Sequence, residues 1–179
     1  MQVIYAPEKR TKHLTDVYCF LAGGITNCYN WQDEVIAELK KLEEEDAEDY
    51  DGPMELIVFN PRRPNFPIDD PDAAEEQIKW EFDNLQACDI FSMYFCGGES
   101  DQPICMYELG RNIQLWSGYD DPEQHIAVSV EKGYKRFNDV KIQCKLADEN
   151  ALLWLATENV TPKSHAESIW YCFKSLRQE

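Results

Sequence analysis

Basic residues are scarce in this chain. Its 179 residues hold 17 Lys+Arg against 34 Asp+Glu, a formal net charge of −17 at pH 7. Nucleic-acid binding needs basic groups to neutralise phosphates and release counterions, so that class is excluded. Anionic membrane surfaces are disfavoured on the same ground. Long apolar runs are absent too: none approaches the roughly 18 residues of a membrane span. Residues 1–10 lack the apolar core of a signal peptide. The seven cysteines (19, 28, 88, 96, 105, 144 and 172) include no C-x-x-C pair and sit mostly inside apolar runs. They read as buried free thiols in a reducing cytosol, which places the protein in the cytoplasm. Only three histidines occur, at 13, 125 and 165, with no zinc-ligand spacing to a cysteine, so no metal site is expected. No G-x-G-x-x-G or G-K-[ST] fingerprint is present.

What the chain does have is material for one core. Hydrophobic residues make up 44% of it and aromatics 12%, which rules out global disorder. The length predicts a single domain over 1–179, with 1–15 as an N-terminal extension. Short β-type runs alternate with helical patterns. Strands are predicted at 17–21, 56–59, 89–95, 126–130 and 151–156. Helices are predicted at 31–43, 73–88, 103–116, 135–142 and from Thr161-Pro162 to about 176, where Thr161 and Pro162 suit N-cap and N1. The expectation is an α/β fold: a Rossmann-like or flavodoxin-like parallel five-stranded sheet flanked by helices. Ligands of such sheets sit beyond the carboxyl ends of the strands, which directs attention to the loops at 22–30, 60–72 and 96–103.

Two carboxylates fall where solvated carboxylates do not belong. On a wheel of about 100° per residue, Ile104, Cys105, Met106, Leu109, Ile113, Leu115 and Trp116 fill an arc of roughly 200°. Only Glu108 and Asn112 interrupt it. Glu108 is either a rim residue reaching water or a functional carboxylate in a cleft. Its place in the first half of the helix favours an anion. In the preceding helix Ala74, Ile78, Phe82 and Leu85 make an apolar stripe, with Glu81 at its boundary. Paired carboxylates serve glycosyl chemistry, one attacking the anomeric carbon while the other handles the proton of the leaving group.

Weaker features surround the pair. Gly23-Gly24 after the first strand is either a tight turn or a point where a ligand nears the backbone. Arg62 and Arg63 either hold a phosphate or pair with the acidic stretch that follows. Trp31, Trp80 and Tyr94 either stack on a base or pack in the core.

Four segments together resemble the nucleoside 2-deoxyribosyltransferase family, in particular its "-like" branch. They are Phe20-Leu21-Ala22-Gly23-Gly24-Ile25-Thr26 with Trp31 downstream, and Asn60-Pro61-Arg62-Arg63. The third runs from Gln77-Ile78-Lys79-Trp80-Glu81 to Leu85-Gln86-Ala87-Cys88-Asp89, and the fourth is Tyr107-Glu108-Leu109-Gly110-Arg111. The resemblance implies transfer of a 2-deoxyribosyl group between nucleobases without a cofactor, in a homo-oligomer where a neighbour completes the pocket. The partners it implies are a nucleoside or nucleotide and a free nucleobase. By this similarity Glu108 matches the nucleophile that forms a glycosyl-enzyme intermediate. Glu81 matches a second carboxyl position that contacts the base or donates its proton. Asp101 or Gln102 falls near the position that binds the sugar 5′ group. Phe20, Gly23, Gly24, Asn60 and Arg62 are further expected substrate contacts, as are Gln77, Trp80 and Asn112. The chain departs from well-studied members at Phe20, where they carry tyrosine, and at Ile25 and Thr26, which replace base-stacking aromatics.

Overall fold

A computed structural model describes residues 1–47, 52–67, 69–116, 125–147 and 160–177. In chain order the elements are β1 (Gln2–Tyr5), β2 (Val17–Gly23), α1 (Trp31–Asp46), β3 (Leu56–Asn60) and α2 (Pro71–Ala87). There follow β4 (Ile90–Phe95), α3 (Pro103–Trp116), β5 (His125–Val130), α4 (Phe137–Ala147) and α5 (Pro162–Leu176). The strands form one all-parallel sheet in the order β1-β3-β2-β4-β5. This is the expected α/β architecture of Rossmann or flavodoxin type.

Helices cover both faces. Phe20, Ala22, Phe91, Met93 and Phe95 pack with Trp80, Leu85, Leu109, Ile113 and Val140, from α2, α3 and α4. The alternate residues Cys19, Leu21, Ile90 and Tyr94 pack with Val35, Leu39, Ile169 and Phe173, from α1 and α5. Burial on both faces is why the central strands read as continuous apolar runs rather than alternating ones. Helix starts follow local chemistry. The Thr161 and Ser164 side chains each bond the other's backbone N–H to cap α5, and Asp70 accepts from the Asp72 N–H ahead of α2. Among the described residues no helix is long and apolar enough to cross a membrane.

Several details differ from the sequence expectation. The fifth strand is β1, drawn from the stretch assigned to an N-terminal extension; it pairs Val3 with Val58 and Ile4 with Phe59. Four residues are too short a run for periodicity to register. The strand expected at 151–156 lies outside the described residues, as do the side chains of Leu115 and Trp116. The cysteines are not all thiols: Cys28 and Cys96 form a disulfide, with Cα atoms 6.5 Å apart. They are 68 residues apart in sequence and meet only because β2 and β4 are neighbours. The apolar stripe of α2 is also rotated. Ala73, Gln77, Trp80 and Leu85 face inward, while Ala74, Ile78 and Phe82 are exposed. Gln77 and Trp80 tolerate burial because Gln77 donates to the Pro61 carbonyl (2.8 Å) and the Trp80 indole to the Glu8 carbonyl (2.6 Å).

The order of strands positions the site. From β2 the chain steps to β3 on one side, then crosses to β4 on the other, so the winding reverses between β2 and β4 and opens a crevice at their carboxyl ends. Gly23 sits at that point with φ of +152°, and any Cβ there would overlap the Tyr94 carbonyl oxygen and the Trp31 ring. We therefore expect Gly23→Ala to destabilise the fold by at least ~2 kcal/mol, read as a lower urea midpoint at unchanged m-value.

Candidate active site

The crevice between β2 and β4 is a cleft of about 460 Å³, within the ~300–1,000 Å³ usual for small-molecule sites. One wall is the end of β2 and the loop after it, from Phe20 and Ala22 through Gly23–Asn27. The opposite wall runs from Glu99 to Cys105, ending in the first turns of α3. Glu81 from α2 and Glu108 from α3 both reach into it. Seven expected site residues line this space: Phe20, Gly23, Gly24, Glu81, Asp101, Gln102 and Glu108.

Burial acts on both glutamates, and the charge of Glu81 acts further on Glu108. Burial, followed by the charge of Glu81, pushes the Glu108 carboxyl up to about 7, with the Arg111 guanidinium partly opposing. Burial also raises Glu81, while the hydrogen bond from the Gln77 amide (2.7 Å) pulls it back. The helix dipole argument expects an ionised Glu108, but desolvation and a neighbouring like charge outweigh it here. Both carboxyls are therefore pushed toward the protonated form, Glu108 to about 7.

Five expected residues act behind the cleft wall. Gln77 bridges Glu81 to the Pro61 carbonyl. The Asn112 amide donates to the Glu108 backbone carbonyl at 2.9 Å, within α3. Trp80 packs against Phe20 and Phe59. Asn60 is fully buried, and its Oδ1 accepts the Arg62 N–H at 2.9 Å. Arg62 itself is turned onto the β2–α1 loop, donating to Gln32 Oε1 (2.9 Å), the Tyr29 carbonyl (3.0 Å) and the Ile25 carbonyl (3.4 Å). Arg63 pairs with Glu76 at 3.2 Å. Neither arginine lines the cleft. Trp31 and Tyr94 are core residues stacked on each other, and the Trp31 indole holds the Gly24 carbonyl at 2.9 Å.

Sequence reasoning passed over other parts of the site. Glu99, Ser100 and Cys105 line the cleft, and Ser100 Oγ donates to the Thr26 carbonyl at 2.9 Å, joining the two walls. Glu131, just past β5, accepts from Tyr29, from Tyr94 (2.6 Å) and from the Gly97 N–H (2.5 Å). It thereby ties three loops at the carboxyl edge. Its only sequence signal was its place after a buried strand. Gln102 has a positive φ of 46° just before α3. Its amide donates to the Cys96 carbonyl (2.8 Å), and its buried Oε1 has no hydrogen-bond partner among the described residues.

The raised Glu108 carboxyl has a consequence for stability. Its folded-state value near 7 exceeds the ordinary 4.5. Its favourable contribution is therefore complete below about pH 4.5 and lost as pH rises through about 7. Glu108→Gln should match the parent at pH 5 and gain up to about 3 kcal/mol over it by pH 8, measured as the difference in urea unfolding at the two pH values.

The family model described as nucleoside 2-deoxyribosyltransferase like matches residues 16–116, more than half of the chain. That span includes every residue lining the cleft. No curated protein matches the chain. On the strength of the family match, the chain belongs to the nucleoside 2-deoxyribosyltransferase-like family.

Proposed function

We propose that the protein transfers a 2-deoxyribosyl group between nucleobases through a covalent intermediate on Glu108. The observation that carries this reading is the convergence of Glu108 and Glu81 in one cleft, where burial pushes both carboxyls toward the protonated form. In the first displacement the Glu108 carboxylate attacks C1′. The N-glycosidic bond breaks, and the departing base keeps the bonding pair and takes a proton from the Glu81 carboxyl. In the second, the incoming base attacks C1′ as Glu81 accepts its proton, and the ester bond to Glu108 breaks. Two displacements retain configuration at C1′. No step draws on a cofactor.

The productive state holds one proton on the pair, and that proton must move from Glu108, whose carboxyl is the one raised to about 7, to Glu81. With two protons Glu108 cannot attack; with none the base leaves unprotonated. We expect kcat/KM to be bell-shaped, with its alkaline limb near pH 7 as the shared proton is lost, and that limb to disappear in Glu81→Gln. A rate that instead climbs through pH 7 to a plateau would show Glu108 working without a proton donor.

The direct assay incubates the protein with 2′-deoxyinosine and free adenine and follows nucleosides by chromatography. Exchange is expected, with a loss of about 10³-fold or more in Glu108→Gln. A 2-fluoro-arabinosyl nucleoside should leave its label on Glu108. Base release without exchange would make water the acceptor. Binding without turnover, indifferent to Glu108→Gln, would make the domain a nucleoside-binding module.

A second copy of the chain is the fitting cover for one exposed face. Ile78 (66% exposed) and Phe82 (50%) on α2 and Ile104 (64%) and Tyr107 (69%) on α3 are exposed, and Arg111 of α3 lies over the Phe82 ring of α2. Large exposed apolar side chains on the two helices that carry Glu81 and Glu108 suit an interaction surface. Sedimentation velocity should show a homo-oligomer that Ile78→Lys combined with Tyr107→Lys dissociates.

A further inference from the structure

Glu81 is reached from behind by a residue that stays out of the cleft. Gln77 stands four positions before it on α2, so the two side chains share one face of the helix. Helical side chains lean toward the N-terminus, which aims Glu81 back over Gln77. The Gln77 amide nitrogen, Nε2, donates to Glu81 Oε1 at 2.7 Å and to the Pro61 carbonyl at 2.8 Å. Gln77 is only 9% exposed and does not line the cleft, whereas Glu81 and Pro61 both do.

An amide can in general turn over, exchanging its oxygen for its nitrogen. Pro61 forbids that here. Its carbonyl oxygen only accepts, so the Gln77 atom facing it is Nε2. The carbonyl is itself held in place, because Asn60 Oδ1 accepts the Arg62 N–H at 2.9 Å and closes a turn over Pro61. Nε2 carries two hydrogens, of which Pro61 takes one. The other goes to Glu81 Oε1, which accepts best as a bare oxygen, so a proton on Glu81 belongs on Oε2. Gln77 Oε1 is buried with no hydrogen-bond partner among the described residues. The fold thus satisfies both Nε2 hydrogens at the expense of the oxygen. Burial raises the Glu81 carboxyl and the Gln77 hydrogen bond draws it back. The titratable groups coupled to Glu81 by charge are Glu108 and Cys105, both on α3.

From this geometry we infer that Gln77 is a positioning residue that acts through Glu81. It holds the carboxyl in one orientation, keeps Oε1 as an acceptor, and leaves Oε2 to give a proton to the departing base and take one from the incoming base. The inference rests on the glycosyl-transfer reading of Glu81 and Glu108, and it moves Gln77 from the expected substrate contacts to the support of an acid. As the N-glycosidic bond breaks, the proton leaves Oε2 for the base and its bonding pair stays on the carboxylate. That carboxylate is the form to which Gln77 donates, so the bond makes Glu81 a stronger acid as well as a better aligned one.

Two measurements test this. The first keeps Gln77 in place and needs no turnover: in isotope-labelled Glu108→Gln protein, the two Gln77 amide protons are followed by NMR across the Glu81 titration. One should shift with the carboxyl, while the other, held by Pro61, stays still. If neither follows Glu81, the inference is overturned. The second compares kcat and KM for Gln77→Met, alone and combined with Glu81→Gln. Alone it should lower kcat about 10- to 100-fold with KM little changed. Its alkaline limb should move to higher pH, because removing a donor to the carboxylate raises the Glu81 carboxyl. Added to Glu81→Gln it should cost nothing further. An equal loss in both backgrounds, or a raised KM with kcat kept, would make Gln77 a packing residue or a substrate contact and overturn the inference. A Gln77→Met protein that does not fold leaves the amide titration to decide. Lack of turnover in the parent would remove the transfer and this role with it, whereas a silent amide titration beside normal exchange would remove the role alone.

Discussion

The close approach of Gly23 to the Tyr94 carbonyl and the Trp31 ring holds the carboxyl ends of β2 and β4 at one point. The rest of the cleft is built outward from this contact. Trp31 lies flat on Tyr94 and fixes the Gly24 carbonyl, which sets the path of the loop forming one wall. Tyr94 passes its hydroxyl to Glu131, which also takes Tyr29 and the Gly97 N–H, so the loops after β2, β4 and β5 share one acceptor. Beneath them His165, fully buried and held neutral by that burial, bridges Ser92 and Ser129 at 2.7 Å each. It pins α5 to the two strands below the crevice. The Cys28–Cys96 disulfide spans the same junction.

Against this rigid frame the two glutamates are an electrostatic expense. Removing a carboxylate from water beside another carboxylate favours the neutral form of each, and the fold tolerates both. Gln77 steadies Glu81 from behind, and Arg111 partly offsets the charge on Glu108. The outcome is two carboxyls in one cleft pushed toward the protonated form, Glu108 to about 7. The stability given up at Glu108 arises from that desolvation.

Much of this was legible in the sequence because it depends on local pattern. Thr161 and Pro162 mark the start of α5 by their own side-chain chemistry. Leu56-Ile57-Val58-Phe59 reads as a strand buried on two faces. Glu108 stands out because helical spacing puts it among Cys105, Leu109 and Ile113, all of which are buried. Other features depended on partners distant in sequence. Ile78 and Phe82 look like the buried stripe of α2, yet Gln77 and Trp80 take that place because the Pro61 and Glu8 carbonyls receive their N–H groups. Arg62 looks like a phosphate ligand, but Gln32 and two loop carbonyls occupy it.

The amino-acid sequence by itself determined the alternation of strands and helices, hence a parallel sheet, and the presence of two carboxylates at helix positions where solvation is restricted. Both follow from periodicities of 2 and 3.6 residues that each segment carries on its own. Only the tertiary structure decided that those carboxylates share one cleft, that residues 2–5 complete the sheet, and that Cys28 meets Cys96. The physical reason is strand order. Contacts between β2 and β4, or between α2 and α3, join segments with other elements of the chain between them, and the crossing that brings them together is set by how the whole sheet buries its two faces.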